Sequence, residues 1–219
     1  MKNRIRFFGA GIFGLLTVLL IILVKCADVH AIGPGETYIG LSHINQYAFQ
    51  STGVNMIWYN ITDWLGIVAI ITALLFAAIG LVQMIRRKSL VKVDKNILAL
   101  GVLYVLVICL YIFFEIVVVN YRPVIMPGSD HPEASFPSSH TMLVSVILGS
   151  AMIQINRYVK NKILRNVLVA ASALIICVTI VGRLISGVHW FTDIVGGIFI
   201  SAFLICLYSG VLERIEKNG

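Results

Sequence analysis

Gly182-Arg183-Leu184-Ile185-Ser186-Gly187-Val188-His189-Trp190-Phe191-Thr192-Asp193 is the stretch that decides how this chain is read. It joins two apolar segments, about 166–185 and about 190–211, each near the roughly 20 residues that a bilayer-crossing helix needs. Ionisable residues at the ends of such segments are costly to place there and mark functional positions. Arg183 closes the first segment. His189 and Asp193 are four apart, so they share one face at the start of the second.

Four more apolar segments lie at about 7–25, 63–85, 96–118 and 138–156. The expectation is a single all-α domain over residues 1–219, built as a bundle of six transmembrane helices. Composition agrees: 59% of residues are hydrophobic and 12% charged, against about 25% charged in soluble domains. The first segment exceeds a signal-peptide core and lacks a good small-residue cleavage pattern, so it reads as a retained helix.

The net charge of +7 sits in short clusters between segments, not in a basic groove, so nucleic acid is not a partner. Lys2, Arg4 and Arg6 precede the first segment. Arg86, Arg87, Lys88, Lys92 and Lys95 follow the second, Arg157, Lys160, Lys162 and Arg165 the fourth, and Arg214 and Lys217 the sixth. The opposite connections hold only Lys25, Arg122 and Arg183. This asymmetry puts both termini in the cytoplasm, and the 120–138 loop and the 183–193 turn together on the outer face.

The outer connection from about 27 to 60 carries the turn Gly33-Pro34-Gly35, a short interfacial helix over 39–49, and the belt aromatics Trp58, Tyr59 and Trp64. Thr62 and Asp63 are suited to cap the 63–85 helix. His30 and His43 read as surface or interface residues without a catalytic part. Cys109, Cys177 and Cys206 read as small buried hydrophobes and Cys26 as interfacial; no pair has zinc-like spacing. Asp130, His131 and Glu133 belong to a solvated loop rather than a metal site, and its place suggests a lid or headgroup selector.

The residues on the predicted outer face suit covalent phosphoryl transfer. Pro137 fits the start of the fourth helix, with Ser138, Ser139 and His140 in its first turn. That turn offers backbone N–H groups to an anion. His189 is the expected nucleophile, with Asp193 on its other ring nitrogen fixing the tautomer. His140 acts as general acid and then as base for water. Arg122 and Arg183 hold the non-bridging oxygens, and N–H groups near Ser138 and Ser139 complete their stabilisation. The set needs no metal and no other cofactor.

These residues resemble the motifs of the type 2 phosphatidic acid phosphatase superfamily of integral membrane lipid phosphatases. Its first motif is Lys, six residues, Arg-Pro; its second Pro-Ser-Gly-His; its third Ser-Arg, five residues, His, three residues, Asp. Arg122 and Pro123 match the first. Pro137, Ser138 and His140 match the second, with Ser139 for Gly. Arg183, His189 and Asp193 match the third, with Gly182 for Ser. The six-segment layout is similar as well. Where the first motif has Lys, this chain has Glu115. In the family that Lys helps bind phosphate, so the resemblance makes Glu115 a candidate specificity residue. Three readings stand for it: pairing with Arg122 or Arg183, binding a polar headgroup, or snorkelling at the helix end.

The resemblance implies a lipid phosphate or pyrophosphate phosphatase of the plasma (cytoplasmic) membrane, its site facing outside, with lipid phosphate and membrane lipids as partners. Undecaprenyl pyrophosphate is the first expected substrate, then phosphatidic acid or phosphatidylglycerol phosphate. Two other functions fit the same residues. One is a lipid phosphotransferase with the same intermediate. The other is a non-catalytic lipid-phosphate binding or flipping protein, which needs the arginines but not the nucleophile, acid and orienting Asp.

Overall fold

Long apolar runs in a bilayer satisfy their backbone only as helices or closed barrels, and here every run is helical. The structure, a computed structural model, describes residues 2–217, with side chains from residue 4; the side chain of Lys2 lies outside the described residues. The elements are α1 (Lys2–Cys26), a hairpin of β1 (His30–Ala31) and β2 (Tyr38–Ile39), α2 (Ser42–Thr52), α3 (Met56–Arg87), α4 (Lys95–Ile116), α5 (Ser139–Tyr158), α6 (Lys162–Ile185) and α7 (Phe191–Lys217). His30 pairs with Ile39 in the hairpin.

Among the described residues, five helices are long and apolar enough to cross a membrane: α1 from Arg4, α3, α4, α6 and α7. The chain is thus an all-α, multi-pass membrane protein. The remaining long helix, α5, is the most deeply enclosed, packed by α3, α4, α6 and α7. Its buried face includes Ser145, Ser150 and Gln154, which lowers its hydropathy because protein, not lipid, surrounds it. On the outer helices the situation reverses. Leu15, Leu74, Val102 and Leu174 are 62–69% exposed, as lipid-facing side chains are. Cys109 and Cys177 also face outward and Cys206 is half-buried, so the expectation of buried cysteines is corrected.

Two boundaries move in ways that matter. The helix expected from 63 begins at Met56, because Asn55 accepts hydrogen bonds from the N–H groups of Ile57 and Trp58. Thr62 and Asp63 are therefore not caps but lie within the second turn. The interfacial helix expected over 39–49 is α2 at 42–52, started after Leu41 takes a left-handed conformation (φ 48°).

Alternation of helix direction separates the bundle into two ends. At one end Arg6 pairs with Glu213 (3.0 Å), Arg157 with Glu216 (2.7 Å) and Arg87 with Asp94 (2.8 Å). At the other end Lys25 donates to the Val118 carbonyl (2.9 Å), Asn55 N–H to Ser186 O (3.0 Å) and Ser138 N–H to Asp193 O (3.0 Å). The basic clusters share the first end, and the motif residues, Glu115 at the end of α4 included, lie in or beside loops of the second.

Candidate active site

The site forms where the start of α5, the end of α6 and the start of α7 meet beneath the 117–138 loop. Gly187 sits at φ +66° in the α6–α7 turn, and a Cβ there would stand 1.9 Å from Gly53 O. Only glycine fits that turn, which delivers His189 to the interior. Trp190 Nε1–H donates to Tyr121 O (2.7 Å), tying the loop to α7. Tyr121 bridges to Ala134, which sets the neighbouring Ser135 over the site.

His189 and Asp193 come together, but not directly. Nδ1 of His189 is 3.9 Å from Asp193 Oδ2, and Ser135 stands between them. Ser135 Oγ–H donates to Asp193 Oδ2 (2.5 Å). Its lone pairs then face His189 Nδ1 at 3.1 Å, as does the Ser135 carbonyl at 3.1 Å. With only acceptors around it, Nδ1 carries the proton, and Nε2 keeps its lone pair. Nε2 is buried with no hydrogen-bond partner among the described residues. The expected direct Asp193–His189 contact is thus corrected to a contact through Ser135. Asp193 is fixed further by the Trp190 N–H (2.8 Å) and Asn120 Nδ2–H (3.4 Å). Burial, and then the charges of Arg122 and Arg183, hold the His189 imidazole well below its ordinary range.

His140 and Arg183 meet on a residue that the sequence reading assigned elsewhere. Asp63 Oδ1 lies 3.1 Å from His140 Nε2 and also accepts from Arg183 Nη2–H. Arg183 is 1% exposed, and its guanidinium packs over the Tyr59 ring at 4.8 Å. Asp63 thus places an anionic oxygen on both the candidate acid and the candidate clamp. Beside them, a groove of about 290 Å³ runs between α3 and α5 from Asp63 and His140 along Ile67, Ile70, Leu143 and Ile147.

Arg122 reaches the same cleft as His189, which Glu115, Ser135 and Ser139 also line. Its Nε is 3.2 Å from Glu133 Oε2, while its Nη1 is buried without a hydrogen bond. Glu133 therefore belongs to the site wall, whereas Asp130 and His131 form an exposed pair (2.8 Å). Glu115 makes no ion pair with Arg122 or Arg183 among the described residues, so the pairing reading falls away. Ser138 and Ser139 part company. Ser138 is the residue before α5 and its N–H is engaged by Asp193 O, so that N–H is not available to a phosphate. Ser139 opens α5, where Pro137 was expected, and the donors heading a helix lack intrahelical partners.

The profile of the PAP2 superfamily matches residues 96–216, more than half of the chain. The chain belongs to the PAP2 superfamily. Its fold is similar to the crystal structure of the first transmembrane PAP2 type phosphatidylglycerolphosphate phosphatase from Bacillus subtilis. The TM-score is 0.65 at 18% identity, over 95% of this chain and 98% of that one. No curated protein matches the sequence. Within this PAP2 chain, the Gly182 departure has a packing reason: a Cβ there would lie 2.6 Å from Thr62 Cγ2 and 3.0 Å from the Trp58 ring. Both neighbours, like Asp63, come from α3, which precedes the matched residues.

Proposed function

We propose that this protein is a metal-independent lipid phosphate or pyrophosphate phosphatase acting through a phosphohistidine on His189. The observation that carries the reading is the His189 ring itself: Nδ1–H is committed to Ser135 and Nε2 is left bare and partnerless. Nε2 attacks phosphorus while the bond to the lipid oxygen breaks, and His140 gives its Nε2 proton to that oxygen. Ser135 and Asp193 steady the positive charge that develops on the imidazole. Arg122, Arg183 and the N–H groups heading α5 at Ser139 take the non-bridging oxygens. An arriving phosphate replaces the Asp63 carboxylate on Arg183 and His140. His140 then removes a proton from water, the water oxygen attacks phosphorus, and the P–N bond breaks to release phosphate.

The groove between α3 and α5 suits a lipid chain whose leaving oxygen faces His140. The proposed topology has six spans, with α5 as the enclosed one. The basic end lies in the cytoplasm and the site opens at the outer face of the plasma membrane. Undecaprenyl pyrophosphate remains the first expected substrate, with phosphatidic acid and phosphatidylglycerol phosphate as the alternatives; the last is the compound class in the name of the structural neighbour.

The deciding experiment is phosphate release by the purified protein in detergent, with chelator present, on those lipids, using His189→Ala as control. Release from one class that vanishes in the variant supports the hydrolase. Transfer of phosphate to an added alcohol in place of water indicates the phosphotransferase, and lipid binding without turnover indicates the receptor. Loss of release on chelation would remove the metal-independent mechanism.

The pH profile offers a second check. The active imidazole is neutral and its folded-state value lies below the ordinary 6.5. It therefore stays active as pH falls through 6.5 and is lost only on further acidification. The His189-dependent acid limb of kcat/KM is expected below pH 6.5 and should move up in Arg122→Gln, which removes the first of the depressing charges. An acid limb at or above 6.5 in the wild type would contradict this.

Glu115→Lys tests the departure in the first motif. Exchanging a negative for a positive charge beside Arg122 should lower the Ki for inorganic phosphate roughly three- to tenfold at low salt, less at high salt. Unchanged phosphate affinity with loss of one preferred lipid would instead support headgroup binding by Glu115.

A further inference from the structure

We propose that Asp28, His30 and His43 form a binding site for a divalent transition ion of the Zn²⁺ class. Their spacing in sequence matches no zinc motif, and only the fold assembles them. Asp28 lies between α1 and β1, His30 is in β1, and His43 is in the first turn of α2. Asp28 Oδ1, His30 Nδ1 and His43 Nδ1 all lie within 4.8 Å of one another. Oδ1 is 2.6 Å from His43 Nδ1 and 3.3 Å from His30 Nδ1. Tetrahedral zinc holds its donors about 3.4 Å apart, given bonds of about 2.0–2.1 Å. Both imidazoles are exposed, so small side-chain rotations reach that geometry. Two imidazoles and one carboxylate are a donor set that zinc accepts, with a fourth position open to water.

The surroundings prepare the carboxylate for this use. Asp28 Oδ2 accepts the His43 backbone N–H (2.9 Å), which fixes the direction of Oδ1, and Oδ1 meets His43 Nδ1 at 2.6 Å, the contact an ion would replace. The backbone around it is locked: Leu41 N–H donates to Ala27 O (2.8 Å) and Ser42 N–H to Asp28 O (2.9 Å). Ser42 Oγ, 2.8 Å from His30 Nδ1, supplies a hydroxyl beside the site. On binding, the ion takes the Nδ1 lone pairs, each ring carries its proton on Nε2 toward water, and any excess proton leaves to solvent.

The ion would lock the hairpin to α2, and α2 braces the end of the molecule where His189 lies. Two residues beyond His43, the buried Asn45 donates to Gly40 O (2.9 Å) and Thr192 Oγ1 (3.0 Å) and accepts from Thr192 N–H (3.1 Å). Thr192 adjoins Asp193. The three ligands lie outside the residues that the PAP2 profile matches. The site rests on the fold and not on the proposed reaction.

The test uses tag-free, full-length protein in detergent, stripped with chelator and titrated with Co²⁺, then with competing Zn²⁺. Saturable visible absorption reaching one Co²⁺ per chain and abolished by Zn²⁺ is expected. His30→Gln and His43→Gln should each weaken uptake at least about tenfold, the scale on which even outer-sphere partners of a metal act. Zn²⁺ should raise the unfolding midpoint of the wild type and not of the variants. Absence of saturable Co²⁺ absorption in the wild type overturns the proposal whatever the variants do, and so does undiminished uptake in the double variant. Phosphate release is a separate readout, so failure here leaves the phosphatase reading standing.

Discussion

His189→Ala is expected to cut phosphate release by about 10⁴-fold or more, the scale on which loss of a covalent nucleophile acts. The magnitude follows from the surroundings of the ring. Nε2 is the atom on the His189 imidazole left without a partner, while Nδ1 is spent on Ser135 and, through it, on Asp193. His140 does not take its place, because in the proposed reaction its Nε2 carries the proton that goes to the leaving oxygen. The variant keeps the Ser135–Asp193 bond and the Trp190–Tyr121 tie, so it should fold and still bind phosphate lipids. Rapid quenching of the wild type should trap an acid-labile, base-stable phosphoenzyme that is missing from the variant. If His189 only activated water, release would fall but no phosphoenzyme would exist in either protein. Turnover retained in His189→Ala would remove the nucleophile assignment.

Much of this site is legible in sequence because its parts are local. His189 and Asp193 lie one helical turn apart, and Arg183 ends the helix before them. Residues that act through tertiary closure are not. Ser135 carries no motif signal of its own, and its role exists only because the Tyr121–Ala134 bridge folds the loop over α7. Asp63 looks like a cap when the helix is assumed to begin where the unbroken apolar run begins. The actual start at Met56 carries Asn60, Thr62 and Asp63 inside the helix, and the Thr62 hydroxyl is satisfied by the Trp58 and Tyr59 carbonyls. An averaged apolar run also fails to tell lipid-facing from protein-facing positions, since both are apolar. That is why Cys109 and Cys177 read as buried and stand exposed, and why α5, the best-covered helix, has the weaker membrane signal.

The second large effect belongs to His140→Ala, and its size should depend on the leaving group. General acid catalysis contributes about 10²–10⁴-fold where the departing oxygen needs a proton. A loss of that size is expected for phosphatidic acid or phosphatidylglycerol phosphate, whose leaving group is an alkoxide. An aryl phosphate departs without help, so its kcat/KM, which reports formation of the phosphohistidine, should lose less than about tenfold on the same argument. Undecaprenyl pyrophosphate lies nearer the aryl case, because the group that leaves is itself a phosphate. The ratio of the two losses therefore reports how strongly the reaction relies on a proton donor beside the α3–α5 groove. The second step sharpens the test: without His140 as base for water, the phosphohistidine should accumulate with aryl phosphate even though its formation is nearly normal. Asp63→Asn should leave that accumulation absent, since it removes only the carboxylate that rests on His140 and Arg183 before substrate arrives. Equal losses for alkyl and aryl esters, with no accumulation, would take the acid–base role away from His140 and leave it as a phosphate ligand.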